Sequence, residues 1–315
     1  SMIEMGIENS LGGNVKVMTY DIAEFERMPT VVKKMKSRGT SIILGPIFSA
    51  EASEIVPLIK PYGMTMITLS NNPALASENV YVFGHAPMKQ LERMIDYTLS
   101  KGHREYITIL PSSSYSSEIV AILANQVAPG GGKLVKSEFY TDKVESIDLA
   151  IQNIVSIVDN INELEDSETK PVLYLSDNDP VVMKRVFDAI KKYNLDIKTT
   201  LVGDNKLYIS YEDPINLMFT GVMNDEFVQF QLKAKESLGI RHLSYMDLLA
   251  YDLGNVIAST LGQDLKHDAF IARLNYGHVY EGLSGRIKFD NGVAQRKYDI
   301  VKREGLEYSL VDAGR

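Results

Sequence analysis

Ser49, Ser70 and Asn71 follow closely on two short apolar runs, residues 41–44 and 64–68. Ser176 and Asp177 directly follow the run 172–175, and Asp204 follows 200–202. Hydroxyls, amides and the free backbone N–H groups that open a helix can receive a carboxylate. An aspartate can receive an ammonium group. Tyr115, within Pro111-Ser112-Ser113-Ser114-Tyr115-Ser116, adds a phenol able to cover a bound molecule. Each residue also has an ordinary structural role open to it. Ser49 fits a helix N-cap, Ser70 and Asn71 fit a local Asn-Pro turn, and aspartates favour surface turns.

Other chemistries find little support. The chain has no cysteine, which removes disulfides, thiol nucleophiles and thiolate metal sites. Its five histidines are dispersed with no i,i+4 pair, so neither a metal nor another cofactor is expected. Gly130-Gly131-Gly132-Lys133 lacks the Ser or Thr that a phosphate loop needs after Lys. Gly282-Leu283-Ser284-Gly285 is one residue short of a nucleophile elbow. Ser167-Glu168-Thr169-Lys170 has Ser-x-x-Lys spacing but sits in an acidic stretch, and is read as chance. The net charge is −8 with Lys and Arg scattered, so nucleic acid is not an expected partner. No catalytic motif emerges, and the chain is read as non-enzymatic.

The elements that hold these residues alternate from start to finish. Ile3, Ile7 and Leu11 share a helix face, and residues 15–19 read as a strand. Thr30 is placed as the cap of a helix carrying Val31, Val32 and Met35, stopped at Gly39. Strand and helix then alternate through strands at 106–110, 134–140, 172–175, 200–202 and 219–222, with a polar loop at 162–170. A helix through Phe227, Phe230 and Leu238 and another over 244–261 follow. Near the end, Asn291-Gly292 signals a hairpin after 285–290, with 297–301 as its returning strand. This rhythm predicts mainly parallel sheets with helices on both faces. A length of 315 residues calls for more than one core, hence two lobes. We place lobe one at 1–87 and 224–283, and lobe two at 88–223 and 284–315. No apolar run reaches the length of a membrane-spanning helix.

A resemblance enters at Ile43-Leu44-Gly45-Pro46-Ile47-Phe48-Ser49, which is similar to the strand-then-Ser segment of type I periplasmic binding proteins. Met66 to Pro73, the Tyr115 segment, Tyr251-Asp252, and Gly282 to Gly285 running on to Phe289-Asp290-Asn291-Gly292 resemble further pieces, in the family's order. Ser116 stands where that family usually has Gly. Residues Val80 to Pro87, with Tyr97 and Gly102-His103, resemble the lipoprotein penicillin-binding-protein activators. The likeness spans almost the whole chain. It implies two doubly wound lobes joined by three crossovers, and non-catalytic capture of an amino-acid-like small molecule between them, in the periplasm. Ser49, Ser70, Asn71, Tyr115, Ser176, Asp177 and Asp204 would line the site. The implied partner is an ABC transporter permease or, on the alternative reading, a cell-wall synthase that the protein regulates.

The same resemblance implies a strand ahead of the first helix, inside the lobe-one sheet. Here the first helix opens almost at residue 2, and Ser1-Met2 reads as an added Ser before an encoded start. The expectation is therefore an export signal and a short apolar strand upstream in the natural protein. A sheet lacking that strand leaves buried backbone groups unpaired. It would either close up or take a segment from a neighbouring chain in a dimer.

Overall fold

A computed structural model describes residues 2–11, 16–21, 27–84, 86–164, 169–177, 179–204, 215–221, 230, 245–261, 267–305 and 307–314. The chain divides into unit 1, Ser1–Ala86 with Gln229–Lys297, and unit 2, Pro87–Val228 with Tyr298–Arg315. Each is an α/β unit with one sheet.

Unit 1 holds α1 (Met2–Leu11), α2 (Met28–Ser37), β1 (Ile42–Leu44), α3 (Ser49–Ile59), β2 (Thr65–Thr68) and β3 (Val80–Val82). Unit 2 begins with α4 (Pro87–Ser100), β4 (Glu105–Pro111), α5 (Ser114–Val127), β5 (Lys133–Tyr140) and α6 (Val144–Leu164). It continues with β6 (Val172–Leu175), α7 (Pro180–Lys192), α8 (Leu195–Lys198), β7 (Thr200–Gly203) and β8 (Leu217–Gly221). The chain returns to unit 1 for α9 (Tyr245–Leu261), α10 (His267–Asn275), β9 (Val279–Gly282), β10 (Gly285–Asp290) and β11 (Val293–Arg296). It ends in unit 2 with β12 (Asp299–Glu304) and β13 (Glu307–Asp312).

The unit 1 sheet runs β1-β2-β3-β11-β10-β9, parallel from β1 through β11 and antiparallel beyond. The unit 2 sheet runs β13-β12-β8-β7-β6-β4-β5, parallel from β8 to β5. Parallel strands bury both faces, so their sequences lose the polar alternation of a half-exposed strand. In β6, Leu173 and Leu175 enter one core layer while Val172 and Tyr174 enter the other. In unit 1, Met66 and Val80 pack with α2 and α3, while Ile67 and Tyr81 pack with α9 and α10. Helix α1 meets α9 at two glycines. A Cβ on Gly6 would lie 2.4 Å from the Tyr251 carbonyl oxygen, and one on Gly254 2.4 Å from that of Ile3. The two backbones thus touch directly, which only glycine permits.

Several expectations need correction. Residues 16–19 carry no regular structure, and Val15 lies outside the described residues. Among the described residues no strand precedes Ile42, and β1 is the edge of its sheet. Thr30 is inside α2 rather than its cap; Arg27 occupies the cap position and Pro29 sets the first turn. The helix α6 continues through 162–164, into what reads as a polar loop. The Asn291-Gly292 hairpin forms, with both residues at positive φ and Asp290 paired to Val293. Its returning strand is therefore Val293–Arg296, not 297–301, because a two-residue turn resumes pairing at once. Residues 284–297 consequently belong to unit 1, where β10 and β11 pair with β9 and β3. The helix expected through Phe227 and Leu238 lies outside the described residues, apart from Phe230, which is buried.

Candidate functional site

In unit 1 the candidates gather where β1 and β2 end. The exits of the two strands are tied together: Gly45 N–H donates to Ile67 O at 2.8 Å and Leu69 N–H to Pro46 O at 3.0 Å. The Thr68 hydroxyl donates to Pro46 O at 2.7 Å and accepts from Ser70 N–H at 3.1 Å. That lattice places the Ser70 hydroxyl 2.9 Å from the hydroxyl of Ser49. Ser49 is the first residue of α3, and Phe48 holds the N-cap position without a side-chain cap. Ser49 is thus released from the capping role that its position in the sequence also allows. Ser70 is buried and its oxygen accepts from Asn72 N–H at 3.1 Å. Asn71 is exposed. The local turn bond is made by Asn72, whose side chain accepts from Ala74 N–H at 3.0 Å.

Sequence reasoning missed Gly84, which follows β3. A Cβ there would lie 2.0 Å from the Ser70 carbonyl oxygen. The β3 exit therefore rests directly on the backbone that carries Ser70.

In unit 2 the candidates divide into two groups. The Ser176 hydroxyl donates to Asp204 at 2.7 Å, joining the ends of β6 and β7. Asp204 acts electrostatically on Tyr115 and on the buried Tyr174. Burial, then the carboxylates of Asp204 and Glu118, push the Tyr115 phenol far up. It is a proton donor at any ordinary pH. Tyr115 sits in the first turn of α5, whose N-cap Ser113 accepts from Ser116 N–H at 3.1 Å. Ser116, where the resemblance has Gly, is buried, with its hydroxyl 2.9 Å from that of Ser113. The extra hydroxyl is absorbed into the cap.

Asp177 faces elsewhere. It accepts from the Tyr140 hydroxyl at 2.8 Å and from Asp179 N–H at 2.9 Å, ahead of α7. Tyr140 belongs to one core layer of unit 2, while Tyr174 belongs to the other with Tyr115 packed against it. Ser176, Asp204 and Tyr115 are thus brought together, and Asp177 is not part of that group. Among the described residues no cluster of His, Cys, Asp or Glu could hold a metal ion, and no helix is long and apolar enough to cross a membrane.

The pieces named by resemblance also meet within unit 1. Asp252 accepts from Leu283 N–H at 2.7 Å and from Ser284 N–H at 2.6 Å. Gly282 lies against the same carboxylate, and a Cβ there would come within 2.7 Å of it. Asp252 is a structural anchor for the β9–β10 turn.

No protein-family model matches the sequence. The "uncharacterized protein RP748" of Rickettsia prowazekii is 40% identical over 310 residues, spanning 98% of this chain and 82% of that protein. Among solved structures, a putative branched-chain amino acid ABC transporter protein from Rhodospirillum rubrum superposes with a TM-score of 0.76 at 12% identity, covering 98% of this chain and 93% of that one. A solute-binding protein of an ABC transporter from Rhodopseudomonas palustris, in complex with 3,4-dihydroxybenzoic acid, gives 0.68 at 14% identity, covering 100% and 92%. LpoA of Haemophilus influenzae gives 0.66 at 14% identity, covering 99% of this chain and 55% of LpoA. The fold is that of the type I periplasmic binding proteins.

Proposed function

This chain belongs to the family of the Rickettsia prowazekii protein RP748, and from that premise and its fold we propose that it is a non-catalytic, periplasmic solute-binding protein for an amino-acid-like small molecule, acting with an ABC transporter permease. One observation carries the reading. Each unit gathers complementary polar groups at the carboxyl ends of its parallel strands, where ligands of open α/β sheets bind. The Ser49–Ser70 hydroxyls, with the start of α3, suit a carboxylate, a group that 3,4-dihydroxybenzoic acid also carries. Asp204, with Ser176 and Tyr115, suits an ammonium group. Asn71 is proposed to add an amide to the first half, and Asp177 to be a separate carboxylate at the end of β6, held by Tyr140. Ile47 and Phe48, exposed beside Ser49, offer apolar contact.

A second reading is a penicillin-binding-protein activator that regulates a cell-wall synthase. One observation favours it: Ser49 pairs with Ser70, Ser176 with Asp204 and Tyr140 with Asp177, so these polar groups already hold internal partners.

A thermal-shift screen against amino acids and small carboxylates tests the first reading. A ligand at 100 times its dissociation constant stabilises the folded state by about 2.7 kcal/mol, which is readily seen as a rise in Tm. The expected result is a rise with a subset of the panel. No rise with any compound, together with capture of the protein by a purified cell-wall synthase, contradicts the transport reading and supports the regulator.

We also infer that β1, the edge of its sheet among the described residues, takes a segment of a second copy. On its paired side β1 is hydrogen-bonded to β2 in parallel register, Ile42 to Leu44 against Thr65 to Ile67. Sedimentation equilibrium is expected to show a dimer. A monomer at every concentration contradicts it.

A further inference from the structure

Arg296 is the last residue of β11, and within unit 1 its side chain meets the exit of β3. One guanidinium nitrogen donates to Phe83 O at 2.7 Å and another to Gly84 O at 2.9 Å. The third, Nε, donates to the Ser284 hydroxyl at 3.1 Å. The guanidinium carbon lies over the Phe83 ring, 4.5 Å from its centroid. All three nitrogens are thus engaged inside one unit. A planar fork that holds two carbonyls and covers an aromatic ring is a fixed arrangement that the point charge of Lys does not reproduce.

Both ends of this fastening lead further into unit 1. Ser284 bonds the buried carboxylate of Asp252 through its N–H at 2.6 Å and also through its hydroxyl. Gly84 rests on the segment that carries Ser70, so closely that a Cβ would lie 2.0 Å from the Ser70 carbonyl oxygen. Phe83 N–H donates to Thr68 O at 2.8 Å, two residues before Ser70. A continuous chain of contacts therefore runs from Asp252 through Ser284, Arg296 and Gly84 to Ser70. It ends at the Ser49 hydroxyl, 2.9 Å from that of Ser70. Ser70 lies beyond the end of β2 and has no regular structure of its own. Its place depends on what its backbone meets: the Thr68 hydroxyl holds its N–H at 3.1 Å, and Gly84 backs its carbonyl.

We propose that Arg296 is a positioning residue for the Ser49–Ser70 pair: it fixes the carbonyls of Phe83 and Gly84, and through Gly84 it sets where the Ser70 hydroxyl stands. Its bearing on function rests on the reading of that pair as the partner of a carboxylate. A half-site built on loop backbone needs such support, because a hydroxyl that wanders loses the geometry its hydrogen bonds require.

Amide hydrogen exchange followed by NMR, with no solute added, tests this. The reporters are Ser70 N–H, bonded to the Thr68 hydroxyl, and Asn72 N–H, bonded to the Ser70 hydroxyl. Thr65 N–H and Met66 N–H, bonded to Ser41 O and Asn79 O, report the sheet itself. Arg296→Ala is expected to speed exchange at Ser70 and Asn72 about tenfold and to leave Thr65 and Met66 unchanged. Arg296→Lys keeps the charge and loses the fork; it is expected to fall between alanine and wild type, and serves where the alanine variant does not fold. Arg273→Ala is the control. It removes another unit 1 arginine that holds two carbonyls, those of Thr260 and Leu261 at 2.6 and 3.0 Å, and is expected to leave Ser70 and Asn72 at the wild-type rate. Wild-type exchange at Ser70 and Asn72 in the folded Arg296 variants overturns the proposal. So does equal acceleration at all four amides, which would make Arg296 a support of the unit 1 fold alone. Because no solute is present, these outcomes are separate from the thermal-shift screen: a failed screen takes the carboxylate role from the Ser49–Ser70 pair and leaves the placement of Ser70 by Arg296 standing.

Discussion

Replacing Asp252 with alanine is expected to lower the stability of the protein by about 2–5 kcal/mol. The carboxylate is fully buried and accepts two backbone N–H groups, from Leu283 at 2.7 Å and Ser284 at 2.6 Å. Alanine leaves both donors buried without a partner, at about 1–3 kcal/mol each. Burial raises the pKa of Asp252, and the hydrogen bonds from Ser284 and Leu283 only partly offset it. The folded state therefore keeps this group in place against a substantial desolvation cost, which marks it as a structural requirement. Asp252→Asn retains one acceptor oxygen and is expected to lose about half as much. Urea unfolding gives the comparison, with a lower midpoint at unchanged slope. A loss below about 1 kcal/mol would mean that other acceptors replace the carboxylate at the turn.

Gly84→Ala is expected to damage both stability and the Ser70 half-site. The new Cβ would stand 2.0 Å from the Ser70 carbonyl oxygen and 2.6 Å from that of Leu69. No side-chain rotation relieves a clash with backbone, so the β3 exit or the Ser70 segment must shift. Overpacking of this kind costs about 1–3 kcal/mol and sometimes more. The Ser49–Ser70 contact, at 2.9 Å, depends on that segment. Thermal unfolding is expected to show a lower Tm, and any ligand identified for the protein is expected to bind more weakly to the folded variant. Wild-type stability and affinity in Gly84→Ala would contradict this account of the loop.

Much of the fold is legible from local pattern. β6 reads directly from Val172–Leu175 because both faces of a parallel strand are buried and the run is continuously apolar. The hairpin at Asn291-Gly292 reads from residues that tolerate positive φ. The Val293–Arg296 strand is not legible locally because four mixed residues carry no period, and what decides their unit is pairing with Val82, far off in sequence. The short β3 and the edge strand β13 give equally little signal. At the candidate site, positions just after strands single out Ser49, Ser70, Ser176 and Asp204. Their pairings do not follow from position. Asp177 meets Tyr140 and Asp252 meets Ser284 across 37 and 32 residues. Gly84 against Ser70 is a contact of backbone with backbone, and no residue type announces it beyond the glycine itself.

The central proposal is that Ser49 with Ser70 in unit 1 can receive a carboxylate, and Asp204 with Ser176 in unit 2 an ammonium group, as an amino-acid-like ligand requires. Calorimetric titration of the amino acid that gives the largest thermal shift, beside its deaminated acid and its decarboxylated amine, tests this most directly. Both analogues are expected to bind about tenfold to a hundredfold more weakly, since each leaves one set of built partners unmet. Binding of either analogue as tight as that of the amino acid would contradict the account, as would the absence of heat with any amino acid.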